Sequence, residues 1–82
     1  MPTIHWLIED LGSNRAQDLI DAARARGARA TVWDEDWWIT RRFPVREGEM
    51  PIFHGSLGEA CRIQAELGWT PGAWCDTAAF HF

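Results

Sequence analysis

The order of apolar and polar residues predicts that strands and helices alternate along the chain. Thr3–Ile8 and Arg29–Trp33 are short apolar runs with β-branched residues, which is typical of strands. Between them, apolar residues recur every three or four positions and predict one face of a helix over Asn14–Arg26. Those apolar positions are Ala16, Leu19, Ile20 and Ala23. The first third of the chain therefore predicts a strand, a helix and a second strand.

A second strand–helix–strand unit is predicted from residue 51 onward. Ser56 and Glu59 form a capping box, which marks the start of a helix. Gly68 stands where a helix commonly ends in a left-handed glycine, and a Pro-Gly turn follows it. The elements predicted here are a strand over Ile52–His54, a helix over Leu57–Leu67 and a strand over Ala73–Cys75.

Two such units predict an α/β fold with a small Rossmann-like parallel sheet, because parallel strands need crossover helices. We expect one domain over residues 1–82, with about four strands in the order 2-1-3-4 and two helices. Right-handed crossovers then place the two helices on opposite faces of the sheet. Apolar surface is left on each face, and residues 34–50, a second copy or another domain must cover it.

Composition and charge narrow the classes of partner. The formal net charge of −4 argues against a nucleic acid partner. No apolar run approaches the length of a membrane span and no signal-peptide pattern occurs, so we expect a cytoplasmic protein without a membrane partner. Cys61 and Cys75 favour a pair of thiols, with a disulfide as the alternative. The histidines and cysteines lack zinc-ligand spacing, so no metal site is predicted.

Two strand-to-helix corners carry candidate ligand-binding residues. In a parallel sheet, strand carboxyl ends and helix N-termini share one edge, where anions and nucleotides bind. The candidates are Gly12, Ser13, Asn14, His54, Gly55 and Ser56. Helix capping and turn formation explain the same residues without a ligand. No catalytic residue is predicted.

Residues 34–50 are predicted to form a long, aromatic-rich loop, because they show no clear helical period. Trp and Arg, which are enriched at binding hot spots, make this region a candidate interface. The candidate interface residues are Trp33, Trp37, Trp38, Arg41, Arg42 and Phe43. The alternative is a flap that covers one face of the sheet. The acids at 34–36 lack the spacing of a calcium loop and predict solvated carboxylates, in one alternative paired with Arg41 and Arg42.

Two stretches resemble the N-terminal region of a family of bacterial and phage ATP-grasp proteins. The first is W-L-I-E-D-L-G-S-N-R at Trp6–Arg15. The second contains F-H-G-S-L, then R-I-Q within the helix, then G-W-T-P-G-A-W-C-D; Trp69–Cys75 is its most specific part. Most ATP-grasp enzymes are carboxylate–amine ligases that work through acyl phosphates. Their nucleotide- and magnesium-binding residues follow this region, so the resemblance implies a fold and a kinship but no activity for these residues.

Three functions stay open from the sequence. The first is a non-catalytic module that resembles the pre-ATP-grasp domain and docks to a neighbouring domain or to a further subunit of a homo-oligomer. The second is a freestanding inhibitor or adaptor that binds another protein, with a phage gene as one possible source. The third is a small nucleotide- or anion-binding protein that uses Asn14, His54 and Ser56. No cofactor is predicted for the chain itself; ATP and magnesium enter only if catalytic domains exist elsewhere.

Overall fold

The computed structural model describes residues 3–10, 15–69 and 75–76 and shows a small parallel sheet with helices on both faces. The strands are β1 (Thr3–Ile8), β2 (Arg29–Val32), β3 (Glu49–Gly55) and the short β4 (Cys75–Asp76). The helices are α1 (Arg15–Ala25), α2 (Trp37–Thr40) and α3 (Leu57–Leu67). All pairings are parallel, in the order β2-β1-β3-β4. The α/β class is confirmed. The sheet rests on three strands, because β4 has two described residues, and the four-strand Rossmann-like assignment stays a prediction.

The prediction of two helices is wrong, because the described residues contain a third, α2. It forms a single turn inside the segment that the sequence predicts as a loop. Four residues are too few to produce a recognisable helical period, so the pattern gave no signal for it. Its stability comes from packing, since Trp38 is buried in the core.

The predicted start of the third strand is also wrong. β3 begins at Glu49 rather than at Ile52, so Pro51 lies inside the strand. Proline is tolerated at a strand edge, and β4 pairs with β3 only at His54 and Gly55. At Pro51, β3 therefore has a described neighbour strand on one side alone. The remaining differences are small: β2 ends at Val32, and residues 14, 73 and 74 lie outside the described ranges.

Side chains alternate between the two faces of the sheet and form one apolar cluster on each. The aromatic face is covered by α2 and α3, and its buried residues are Leu7, Trp33, Trp38, Phe53, Ala60 and Ile63. The alanine face is covered by α1, and its buried residues are Ile8, Ala16, Ile20, Ala23 and Ala30. The two long helices thus lie on opposite faces, as predicted. None of the helices in the described ranges has the length and apolar character needed to cross a bilayer.

The outer edge of β2 is protected by an arginine from α1. The backbone N–H of Trp33 donates to Ile8 O at 2.8 Å, so alternate residues of β2 direct their backbone groups toward β1. Ala30 has the opposite parity and directs its carbonyl outward. Arg24 Nη2 donates to that carbonyl at 3.0 Å. The guanidinium therefore occupies an acceptor that a further strand would need.

We expect Gly55→Ala to lower the free energy of unfolding by about 1–3 kcal/mol, the range for overpacking a core. A Cβ at this position would lie 2.7 Å from Glu9 Cβ and would overlap the Phe53 ring. Urea unfolding followed by tryptophan fluorescence measures the change. Gly58→Ala in α3 is the matched control: its Cβ meets nothing within 4 Å, and alanine favours a helix by up to about 1 kcal/mol. Equal effects of the two substitutions would contradict the close approach at Gly55.

Candidate functional site

A buried polar cluster lies on the aromatic face, near the N-terminal ends of the strands. Arg29 Nη1 donates to both carboxylate oxygens of Glu49, at 2.7 and 2.8 Å. The backbone N–H of Arg46 donates to Glu49 Oε1 at 2.7 Å. His5 Nε2 lies 2.7 Å from Thr31 Oγ1. His5 Nδ1 lies 3.3 Å from Glu49 Oε1, at ion-pair distance but without hydrogen-bond alignment. The cluster therefore links β1, β2 and β3.

The pKa values of His5 and Glu49 are both lowered, but burial acts in opposite directions on the two groups. For His5, burial is the main cause of a pKa below 6.5, and the positive charge of Arg29 adds to it. For Glu49, burial raises the pKa, but the Arg46 N–H and the Arg29 guanidinium outweigh it, so the net pKa lies below 4.5. The imidazole is thus neutral and the carboxylate ionised near neutral pH. Because the His5 side chain is 0% exposed, it cannot contact a substrate in this conformation and its role is structural.

A second arrangement joins the carboxyl ends of β1 and β3. The backbone N–H of Glu9 donates to His54 O at 2.8 Å. Glu9 Oε1 accepts from the backbone N–H of Ser56 at 2.9 Å, and Ser56 Oγ accepts from the N–H of Glu59 at 3.4 Å. The carboxylate of Glu9 therefore lies against the first turn of α3, where the helix dipole favours a negative charge. This corner is held together by groups of the chain itself.

The predicted ligand-binding residues are only partly brought together. Gly12, Ser13 and Asn14 lie outside the described residues. Gly55 and Ser56 join Glu9 at the corner just described, whereas His54 directs its side chain to the alanine face, because it alternates with Phe53 along β3. The binding of a ligand there stays a prediction. Glu9 was missed, since its partner Ser56 is 47 positions away and nothing in the sequence indicates the pairing.

The predicted interface residues divide into an inner and an outer set. The Trp33 ring lies 5.2 to 5.9 Å from four other rings, measured between centroids. Those rings belong to Trp37, Trp38, Phe43 and Phe53. Trp33 and Trp38 are buried, Trp37 and Phe43 are half-buried, and Arg41 and Arg42 are exposed. The indoles therefore cover the aromatic face, and the two arginines are left at the surface.

Cations lie over the outer side of the Trp38 ring. The Arg62 guanidinium is 4.3 Å from the ring centroid, and that of Arg41 is 5.7 Å away. Both arginines also approach the carboxylate of Glu66, at 3.6 Å from Arg41 and 3.9 Å from Arg62. Arg41 adopts a left-handed backbone conformation, with φ 55°, and its N–H donates to Trp37 O to end α2. These contacts fix α2 against α3.

Ile39 of α2 and the charged residues that flank this helix are exposed. Ile39 is 82% exposed. We call this region the α2 outer surface and define it as Glu35, Asp36, Ile39, Arg41 and Arg42. The predicted pairing of the acids at 34–36 with Arg41 and Arg42 is not seen in the described residues, where Arg41 pairs with Glu66 instead. In the same part of the chain, no group of three His, Cys, Asp or Glu residues is placed to hold a metal ion.

No protein-family model, curated protein or solved structure matches the chain. Its own residues are therefore the basis for assigning a function.

We expect the free energy of unfolding to fall as the pH drops below 6.5, and His5→Asn to reduce that fall. The pKa of His5 is lowered in the folded chain, so the unfolded chain takes up the proton first and stability is lost on acidification. A single such group contributes up to about 1.4 kcal/mol for each pH unit in this window. The depressed pKa of Glu49 adds a further loss below 4.5.

Urea unfolding in a pH series on both sides of 6.5 measures this dependence. His5→Asn removes the titrating group, and the difference between its curve and that of the wild type isolates His5 from His54. Parallel curves for the two proteins would contradict the assignment.

Proposed function

We propose that this chain is a non-catalytic docking module of the pre-ATP-grasp type, and that the α2 outer surface contacts a neighbouring domain or subunit. The observation that carries the docking role is the exposed side chain of Ile39, which is 82% accessible on a helical turn whose opposite side is fixed in the core. Among the described residues, Val32 is 45% and Leu57 51% accessible, so Ile39 is the large apolar side chain that offers most of its surface to a partner.

The rigid support of Ile39 makes this surface suited to binding. Trp37 and Trp38 attach the turn to the core through their contacts with Trp33. The backbone N–H of Arg41 ends α2 by donating to Trp37 O. A side chain held in place loses little conformational freedom when a partner covers it. Burying an isoleucine side chain contributes about 1.5–3 kcal/mol, so Ile39 is a fitting anchor for an interface.

The kinship with ATP-grasp proteins remains a proposal, and two features support it. The parallel pairing of β1 with β2 and β3, with helices on opposite faces, is the kind of fold that the resemblance implies. Trp69, the first residue of the most specific stretch, packs against the aromatic face with its ring 5.5 Å from that of Phe43. The rest of that stretch lies largely outside the described residues.

The corner at Ser56 favours docking over nucleotide or anion binding. The N–H of Ser56, which an anion would use, already donates to the carboxylate of Glu9. A phosphate placed there would lie beside a like charge, which is unfavourable at short range. A freestanding inhibitor or adaptor would use the same α2 outer surface, and the identity of the partner separates it from the leading proposal.

We expect a photo-crosslinking amino acid placed at Ile39 to capture a discrete partner in cells of the organism that encodes the chain. Position 39 is exposed and lies at the centre of the α2 outer surface, so a docked partner comes within reach of the reagent. Mass spectrometry of the adduct identifies the partner, whether a ligase domain, another protein or a second copy of this chain.

The matched control carries the same amino acid at Asp18, which is exposed on α1. Adducts of equal yield from both positions, or none from position 39, would overturn the docking proposal. Calorimetry with ATP and magnesium provides the counter-test, for which we expect no heat of binding. ATP binding that weakens on Ser56→Ala would instead favour a nucleotide site.

A further inference from the structure

We propose that the partner of the α2 outer surface is a second copy of this chain, and that two such surfaces meet across a two-fold axis at Ile39. This inference rests on the docking role proposed above and names the subunit that docks. Two-fold interfaces are made by the same patch on both subunits, so the patch must be complementary to itself. The α2 outer surface has this property in both its charge and its apolar centre.

The charges are arranged symmetrically about Ile39 along the sequence. An acid, Asp36, stands three residues before Ile39, and a base, Arg42, stands three residues after it. Glu35 and Arg41 extend the acidic and the basic end. A two-fold axis through Ile39 turns one segment antiparallel to the other, which places Asp36 of one copy opposite Arg42 of the second. Both isoleucines then cover each other at the axis.

Among the residues that the structure describes, the side-chain charges of Asp36 and Arg42 make no ion pair. Asp36 stands at the N-cap of α2, yet its side chain makes no capping hydrogen bond. The hydrogen bond of Arg42 is made by its backbone N–H, which donates to Thr40 Oγ1 at 3.3 Å. Its guanidinium makes no ion pair with any described residue. Both charges are therefore available to a partner.

The overall charge and the sheet edge support this choice of surface. The chain has a formal net charge of −4, so two copies repel each other unless opposite charges meet at the contact. Pairing through the β2 edge is disfavoured, because Arg24 already occupies the outward carbonyl of Ala30. The α2 outer surface joins both charge signs to an apolar centre, which favours it over the β2 edge for self-association.

The contact is small, because it centres on one helical turn and its flanking residues. Interfaces well below about 1,200 Å² are typical of weak and transient complexes. We therefore expect an association that depends on concentration, with a dissociation constant of ~10–1,000 µM, and that weakens as salt screens the ion pairs.

Charge reversal at the two ends of the surface tests the arrangement. In Arg42→Glu, each new glutamate faces Asp36 of the second copy, and in Asp36→Arg each new arginine faces Arg42. We expect either variant alone to remain monomeric at concentrations where the wild type associates. An equal mixture of the two variants restores both opposite-charge contacts, so we expect a heterodimer. Sedimentation equilibrium, with one variant carrying a fluorescent label, measures all four samples.

Asp18→Arg in α1 and Arg26→Glu in the turn that follows this helix are the matched controls, because they make the same charge changes at exposed positions outside the α2 outer surface. We expect each control to associate as the wild type does. Circular dichroism checks that every variant is folded. A wild type that stays monomeric at ~1 mM, or a mixture that associates no better than its components, would overturn the proposal.

The crosslinking experiment at position 39 distinguishes the two-fold contact from the docking role on which it rests. An adduct at position 39 with a different protein, together with a monomeric wild type, would refute the two-fold contact and leave docking intact. The absence of both adduct and dimer would refute both.

Discussion

The indole of Trp33 is the contact on which the aromatic face of this domain depends. Its ring meets three others edge-on and stacks against Phe43 at 28°, and its Nε1–H donates to Glu59 Oε2 at 3.2 Å. Each aromatic pair contributes about 0.5–1.5 kcal/mol beyond burial alone. One side chain at the end of β2 thereby fixes residues 34–45, β3 and α3 to each other. Four residues cannot sustain a helix in water, so α2 depends on Trp33 together with the Phe43 and Arg62 contacts of Trp38.

The same face of the sheet carries the polar cluster of His5, Arg29 and Glu49 near the N-terminal ends of the strands. The separation of this face into a polar end and an aromatic end fixes which residues of neighbouring strands pair. His5 stands opposite Arg29 and Glu49 opposite Thr3 in the observed register. A slip of one residue would move Glu49 to the alanine face and leave Arg29 without its carboxylate. The Glu49 side chain is 6% exposed, and leaving its carboxylate unpaired costs more than the intact pair contributes, so the cluster disfavours wrong registers.

Elements that are signalled by neighbouring residues could be predicted from the sequence. Features that depend on contacts between residues distant in the sequence could not. The bounds of β1 and α3 were predicted to the residue, because a short apolar run with β-branched residues and the capping box at Ser56 are local signals. Helix α2 was missed because it exists through contacts with Trp33. The pairing of Glu9 with Ser56, and that of Glu49 with Arg29, depend on which strands lie side by side. Residue type alone did not distinguish Arg29, the first residue of an apparently ordinary strand, from any surface arginine.

Ile39 is exposed because the two preceding residues of α2, Trp37 and Trp38, pack into the core. Successive residues of a helix point about 100° apart, so one turn can direct Trp37 and Trp38 toward the sheet only if the next residue points away. Trp38 is 6% exposed and Ile39 82% exposed, as that geometry requires. A polar residue at position 39 would adopt the same backbone conformation without exposing apolar surface to water. The fold thus does not require an isoleucine here, and this residue lies midway along the sequence between an acid and a base that make no ion pair with the described residues. The tryptophans that pack into the core and the exposed isoleucine therefore belong to the same helical turn.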